Sequence, residues 1–266
     1  MIRLYDQNIW GNMPKTESVA NRNRLIYTLI QECRPDFCTF QECNPDTSRQ
    51  GEDAMQEILK DTYAEAAPEE WNRNFTPVFY RRDRWELLDS GFMPYEGLND
   101  INSKSITWAI LKEKATGKPV CIISTHFWWQ YQSEKDTRQR LENVAALKKL
   151  CDEIIEKYNV PVIVAGDLNN GANAVQGELP YKTMLTQGFQ DIRAKAPKTT
   201  DCHTCHKYPV RNEQGDYVGT SLPAVTIDYI LTYGENSLQA ECFQVLTDTR
   251  ALSSSDHCPL VGDFAF

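Results

Sequence analysis

No apolar run in the sequence approaches the ~20 residues needed to cross a bilayer, which excludes a helical membrane span. There is also no charged leader with an apolar stretch behind it. Ile2 already opens a strand-like segment, so a cytoplasmic location and no stable membrane insertion are expected. Internal repeats, low-complexity tracts and long Pro/Gly/Ser linkers are missing too. With 266 residues and 41% hydrophobic content, the expectation is one globular domain over 1–266, acting as a monomer. Positive charge is in deficit: 28 Lys and Arg stand against 37 Asp and Glu, a net charge of −9. That balance disfavours a nonspecific nucleic-acid binder, which presents a basic face. The nine cysteines are odd in number and scattered, mostly inside apolar runs such as "DFCTF" and "VCIIST". There a thiol packs as a small hydrophobe, which fits a reducing compartment.

What the sequence does have is a succession of short β-type runs. Strands are expected at Ile2–Gln7, Asp36–Phe40, Thr76–Arg81, Ile106–Leu111, Val120–Ser124, Val160–Ala165, Ala224–Leu231, Glu241–Leu246 and Leu260–Phe264. Helical spacing links Val19, Ile26, Leu29, Ile30 and Cys33. It returns over Asp136–Tyr158, where Leu141, Val144, Leu147, Leu150, Ile154 and Ile155 form one stripe. "VPVIVAGD" and "PVCIISTH" are almost wholly apolar, as strands covered on both faces are. The pattern predicts an α/β (α+β) fold of stacked sheets with helices outside.

The polar residues fall where these runs end. Asn8 closes "IRLYDQN", Glu42 "DFCTFQE", His126 "CIISTH", and Asp167 and Asn169 "VIVAGDLN". Asp228 stands in "TIDYIL", and Asp256-His257 stand at the mouth of the last strand. Ligands of open α/β sheets collect near strand ends, and rigid strands hold functional groups well. Alone, each residue reads as a turn or a satisfied polar group; together they suit phosphoryl transfer to water. Glu42 and other carboxylates suit a hard cation with oxygen ligands, Mg2+ or Mn2+. Asp167 is placed to accept the proton of the attacking water and Asn169 to orient it. Asp228 is suited to hold His257 as an imidazolium that donates to developing charge.

These motifs, together with "FTPVFYRRDRWELLDSGF", "SITWAIL" and "SSDHCPL", resemble those of the endonuclease/exonuclease/phosphatase superfamily, the deoxyribonuclease-like metal-dependent phosphoesterases. The resemblance covers essentially the whole chain in the family's order. It implies a four-layer sandwich, two packed mixed sheets with helices on both outer faces. It places Glu42 on the metal-binding glutamate, Asn8 on the asparagine that supports metal and phosphate, and Asp256 on the acid that approaches the metal. His126 falls on the phosphate-contacting histidine, Asp167 and Asn169 on the water-activating pair, and Asp228 and His257 on the Asp–His pair. Three departures stand out. "HFWWQYQ" replaces the usual continuation of the "TH" motif, Lys104 is nearest to an arginine that often precedes the "TW" strand, and "TDCHTCHKYP" occupies a loop beside the site.

Several segments leave alternatives open. "CHTCH" is half of a zinc knuckle, a solvated loop, or a pocket wall that brings His203 or His206 to substrate. "HFWWQYQ" is core, a platform that brings Trp128 under a sugar or base, or a membrane wedge, the last disfavoured by the acidic chain. Arg81, Arg82 and Arg84 form the densest basic cluster, which a solvated strand end explains. The expected function is a Mg2+/Mn2+-dependent phosphoesterase acting on a small phosphorylated compound such as a sugar or inositol phosphate. Its substrate-binding residues are Lys104, Trp128, His203 and His206. The alternatives are a nuclease or other phosphodiesterase (DNA, RNA or phospholipid head group) and a non-catalytic binding protein on the same fold.

Overall fold

The computed structural model describes residues 1–11, 18–44, 53–70, 72–97, 103–200, 202–206, 210–211, 217–218, 224–234 and 238–266. The chain begins with β1 (Ile2–Asn8), α1 (Val19–Cys33), β2 (Phe37–Gln41), α2 (Met55–Leu59), β3 (Tyr63–Glu65) and β4 (Val78–Arg81). It continues through β5 (Trp85–Pro94), β6 (Ser105–Glu113), β7 (Pro119–His126), α3 (Glu134–Tyr158) and β8 (Val162–Asp167). Then come α4 (Leu179–Thr186), β9 (Phe189–Asp191), α5 (Ile192–Lys195), β10 (Lys198–Thr199) and the small ribbon β11 (Val210–Arg211) and β12 (Tyr217–Val218). The chain closes with β13 (Asp228–Tyr233), β14 (Ala240–Val245), α6 (Thr249–Ser254) and β15 (Leu260–Phe264).

Two mixed sheets form, in the orders β10-β14-β15-β1-β2-β4-β3 and β5-β6-β7-β8-β13-β9. Strand alternation sorts their apolar side chains into three layers of core. Ile2, Leu4 and Phe37 of the first sheet meet Val120, Ile122, Ile163 and Ile230 of the second. On the outer face of the first sheet, Tyr5, Cys38 and Phe40 pack against Ile26, Leu29 and Ile30 of α1. On the outer face of the second, Cys121, Ile123, Val162 and Val164 pack against Val144, Leu147, Cys151 and Ile154 of α3. The result is helix, sheet, sheet, helix: the expected sandwich of two packed mixed sheets flanked by helices.

Both long helices end where the sequence marks them. Ser18 caps α1 by accepting from Asn21 N, and Arg34 leaves it in the left-handed region. Asp136 accepts from Ser133 N at the start of α3, so this helix starts two residues before the periodic stripe. Beyond shifts of one or two residues at strand ends and the added short strands β3, β9, β10, β11 and β12, two strand expectations change. The run 224–231 becomes a strand only from Asp228, because Thr226 N turns aside to Ala172 O and Val225 makes only an isolated bridge to Cys205. The ten-residue β5 was not among the expected strands. It is an edge strand with a half-open face, so Asp89, Ser90 and Gly91 interrupt its alternation.

Topology decides where the strand ends meet. β1 runs parallel to β2, and β7 parallel to β8. β15 is antiparallel to β1, and β6 and β13 are antiparallel to β7 and β8. The C-terminal ends of β1, β2, β7 and β8 therefore share one rim with the starts of β6, β13 and β15.

Candidate active site

Every strand-end residue picked out above except Asp256 and Glu42 is buried at this rim. Asn8 ends β1 opposite Gln41, and Glu42 leaves β2 with φ 54°, a left-handed turn that swings its carboxylate out of the ladder. His126 and Asp167 form the last rung between β7 and β8, and Asp167 and Asp228 the first rung between β8 and β13. Three candidate side chains thus stand side by side on consecutive strands.

Hydrogen bonds fix them further. Asn8 Nδ2 donates to Asp167 Oδ2 at 3.0 Å and to Glu42 Oε1 at 3.2 Å, while its Oδ1 accepts from Trp10 N. This carboxamide is a strut between two carboxylates. His126 Nε2 lies 3.3 Å from Asp167 Oδ2, and Lys104 Nζ lies 2.5 Å from the same ring nitrogen. Asn169, with φ 49°, donates its backbone N–H to Asp167 Oδ1 and its Nδ2 to Phe127 O. His257 Nδ1 sits 2.9 Å from Asp228 Oδ1, leaving Nε2 directed 4.0 Å from Asp167 Oδ2 and 3.8 Å from Asp256 Oδ1.

Burial and charge set the protonation states. At Asp167 burial opposes ionisation, but the charge and hydrogen bond of His126, with His257 and Lys104 beyond, outweigh it and hold the carboxyl below the usual range. Burial likewise opposes a charged His257, yet Asp228, with Cys205 and Asp256, raises its pKa well above the ordinary value. At Asp256 burial, opposed by His257, combines with the negative charge of Glu42 to push the carboxyl up to about 7. The charge of Glu42 thus hinders ionisation of Asp256, and the two side chains are 33% and 18% exposed. A hard divalent cation fits such an oxygen pair, because it removes the repulsion.

Among the described residues, Asp167, Asp228 and His257 also present ligand atoms within 4.8 Å of one another. The Nδ1 of His257 and both oxygens of Asp228 are already engaged in hydrogen bonds, so these two form an orienting pair, whereas among the described residues Glu42 and Asp256 each have only one oxygen so engaged, Oε1 by Asn8 and Oδ1 by Ser255.

The family model for "Endonuclease/Exonuclease/phosphatase family" matches residues 7–257. The chain belongs to this family. It is therefore a phosphoesterase, a hydrolase built on the endonuclease/exonuclease/phosphatase fold. Solved structures of similar fold include a mannosyl-6-phosphatase of Bacteroides thetaiotaomicron (TM-score 0.76, 18% identity, 100% of each chain covered). TDP2 of D. rerio complexed with a single-strand DNA product is similar at TM-score 0.71 and 17% identity, over 100% of this chain and 99% of that one. The human Nocturnin catalytic domain with a bound sulfate anion gives 0.65 and 21%, over 100% and 94%. No curated protein sequence matches the chain.

The structure of this phosphoesterase gathers Asn8, Glu42, Lys104, His126, Asp167, Asn169, Asp228, Asp256 and His257 at one rim, and His206 adjoins them, its backbone N–H donating to Asp256 O at 2.9 Å. Trp128 is only 7% exposed, packs in the core beneath α3 and donates Nε1–H to Asp136 Oδ1 at 2.8 Å. Its neighbour Trp129 is the exposed indole, at 49%. His203 stands partly open, with Nδ1 2.8 Å from Thr226 Oγ1 and Nε2 3.3 Å from Asn173 Nδ2. His206 is buried, and burial and the charge of His257 hold its pKa below the ordinary value. Within "CHTCH" the residue that serves the site is one the sequence reading passed over. Thr204 Oγ1 donates to Asp228 Oδ2 at 2.6 Å and accepts from the N–H groups of Ile227 and Asp228, both at 3.1 Å. Arg81 and Arg84 are spent in ion pairs with Asp83, and with Asp36 and Glu113, and Arg82 donates to Tyr63 O.

Proposed function

We propose that this phosphoesterase hydrolyses a small phosphorylated compound, such as a sugar or inositol phosphate, with Mg2+ or Mn2+, the whole chain acting as one domain. The observation that carries the reading is the concentration of the rim's nitrogen groups, the ammonium of Lys104 and the imidazoles of His126 and His257, around the single carboxylate Asp167. That arrangement serves one phosphoryl group, not a track of them. Asp167, held ionised, accepts the proton of the attacking water, and Asn169, pinned to Asp167 and Phe127, orients that water. Asp228, itself held by Thr204, keeps His257 an imidazolium whose Nε2–H donates to charge developing on the phosphoryl oxygens. Lys104 and His126 contact the phosphate, and Asn8 holds Glu42 at a fixed separation from Asp167. Glu42 and Asp256 would hold the cation, which would supply positive charge to offset that of the phosphate.

The second reading, a nuclease or other phosphodiesterase, draws on the likeness to TDP2 with its DNA product. A panel of glucose 6-phosphate, myo-inositol 1-phosphate, single-stranded DNA, plasmid DNA and a choline phospholipid, with Mg2+, Mn2+ or chelator, separates the two. The expected result is phosphate release from a monoester that chelator abolishes and either ion restores. Asp167→Asn and His257→Ala should each lower kcat by roughly 10²–10⁴ with little change in KM. DNA cleavage at nanomolar enzyme without monoester turnover would establish the second reading, and full activity in chelator would remove the metal.

A further inference from the structure

Seven large hydrophobic side chains are exposed among the described residues; three of them sit on the two loops that leave β7 and β8, and a fourth, Leu179, opens α4 where the second loop ends. Trp129 and Tyr131 follow His126 at the end of β7, while Val175 and Leu179 lie beyond Asp167 at the end of β8. Three residues of chain span at most about 11 Å, so Trp129 cannot be far from His126. The loops are locked together. Gln176 Nε2 donates to Trp129 O at 3.2 Å, and the buried guanidinium of Arg140 donates to the carbonyls of Trp128, Gln130 and Gln176. Beneath lies the fixed indole of Trp128, its ring centroid 6.4 Å from that of Trp129. An exposed aromatic face held this rigidly beside a catalytic cleft is a recognition surface.

Its composition selects the ligand. Residues 127–134 and 168–178 contain no Lys or Arg, but Gln130, Gln132, Asn173 and Gln176 supply neutral carboxamides. A surface that tracks single-stranded nucleic acid combines aromatic platforms with a positive groove, and these loops lack the second half. A hydroxylated ring needs what is present: a flat apolar face for its C–H groups and amides that both donate to and accept from hydroxyls. We propose that Trp129 is the stacking face of a subsite for the sugar ring of a phosphorylated sugar, with the carboxamides of the two loops reading its hydroxyls. The proposal rests on the phosphomonoesterase reading above and adds the residues that set its specificity.

The test compares wild type, Trp129→Ala and Trp129→Phe on glucose 6-phosphate, mannose 6-phosphate and the ringless glycerol 3-phosphate, with Mg2+. For the better hexose phosphate, Trp129→Ala should raise KM about tenfold, a mid-range loss for one stacked ring, with kcat within about twofold. Trp129→Phe should recover most of the loss, and KM for glycerol 3-phosphate should not move. An unchanged hexose-phosphate KM in Trp129→Ala, or an equal loss on glycerol 3-phosphate, overturns the subsite while leaving the phosphomonoesterase reading intact. If the wild type turns over no monoester but cleaves single-stranded DNA, the reading and the subsite fall together.

Discussion

Asp6 carries more electrostatic cost than any catalytic role requires of it. It is fully buried between the sheets, and its Oδ1 accepts from Thr39 Oγ1 at 2.7 Å and Gln41 Nε2 at 2.9 Å, while Oδ2 has no hydrogen-bond partner among the described residues. Burial pushes the carboxyl up to about 8, against those two hydrogen bonds and with help from the charges of Asp228 and Asp167. An unfolded chain releases this proton near pH ~4, whereas the folded one keeps it to about 8. Between those values the native state binds more protons, so this residue's contribution to stability falls as pH rises and levels off above 8. Asp6→Asn has nothing to ionise and keeps a side chain of the same shape. In chelator, its Tm should exceed that of wild type by on the order of 5 °C at pH 8, with little difference at pH 4.5. A gap that stays constant across that range would mean that Asp6 is ionised in the folded protein throughout.

Among the elements, the pairing of β7 with β8 sets the geometry of the proposed site, since its last rung aligns His126 with Asp167. Gly166 makes that rung possible. Its φ is +148°, and a Cβ there would lie 1.9 Å from Thr125 O, on the neighbouring strand's backbone. Gly166→Ala must push the strands apart, and should cost at least about 2 kcal/mol by chemical denaturation, with kcat falling in the protein that still folds. A variant as stable and active as wild type would show that the rung is not closely packed. Such strands are legible in the sequence because they are covered on both faces, so the polar residue that ends the apolar run is conspicuous; Glu42, His126 and Asp167 stand out that way, and His257 by its place just before the last apolar run. Thr204 was not, because a threonine in a loop has no period and its partner Asp228 lies 24 residues away. That Trp128 turns into the core, against the expectation that it meets substrate, has a similar reason. Which of two adjacent indoles turns inward depends on Asp136 of α3 reaching Trp128, a tertiary fact that local spacing does not encode. The edge strand β5 escaped for want of a second covered face.

At the scale of the whole molecule, the −9 charge and the placement of the cations act together. Arg3, Arg24, Arg73, Arg81, Arg84 and Arg250 are each paired with a carboxylate, several through two hydrogen bonds, so they hold the surface together and do not form a basic stripe. The positive groups near the chemistry are few and gathered at Asp167. Binding a polyanion releases counterions in proportion to the phosphates neutralised, so a protein making 6–10 such contacts loses about 10³–10⁵ in affinity between 50 and 200 mM salt. One phosphoryl group meeting one or two cations loses far less, under about tenfold over the same interval. For the best substrate, kcat/KM should therefore decline less than about tenfold from 50 to 200 mM NaCl, at constant divalent ion. The molecule's net negative charge strengthens the contrast, because at low salt it repels a polyanion as a whole while hardly affecting a small anion that reaches the cleft. A fall of three orders of magnitude would require a string of phosphate contacts along the protein, and the positive surface for it would have to lie outside the ion pairs and the cleft described above.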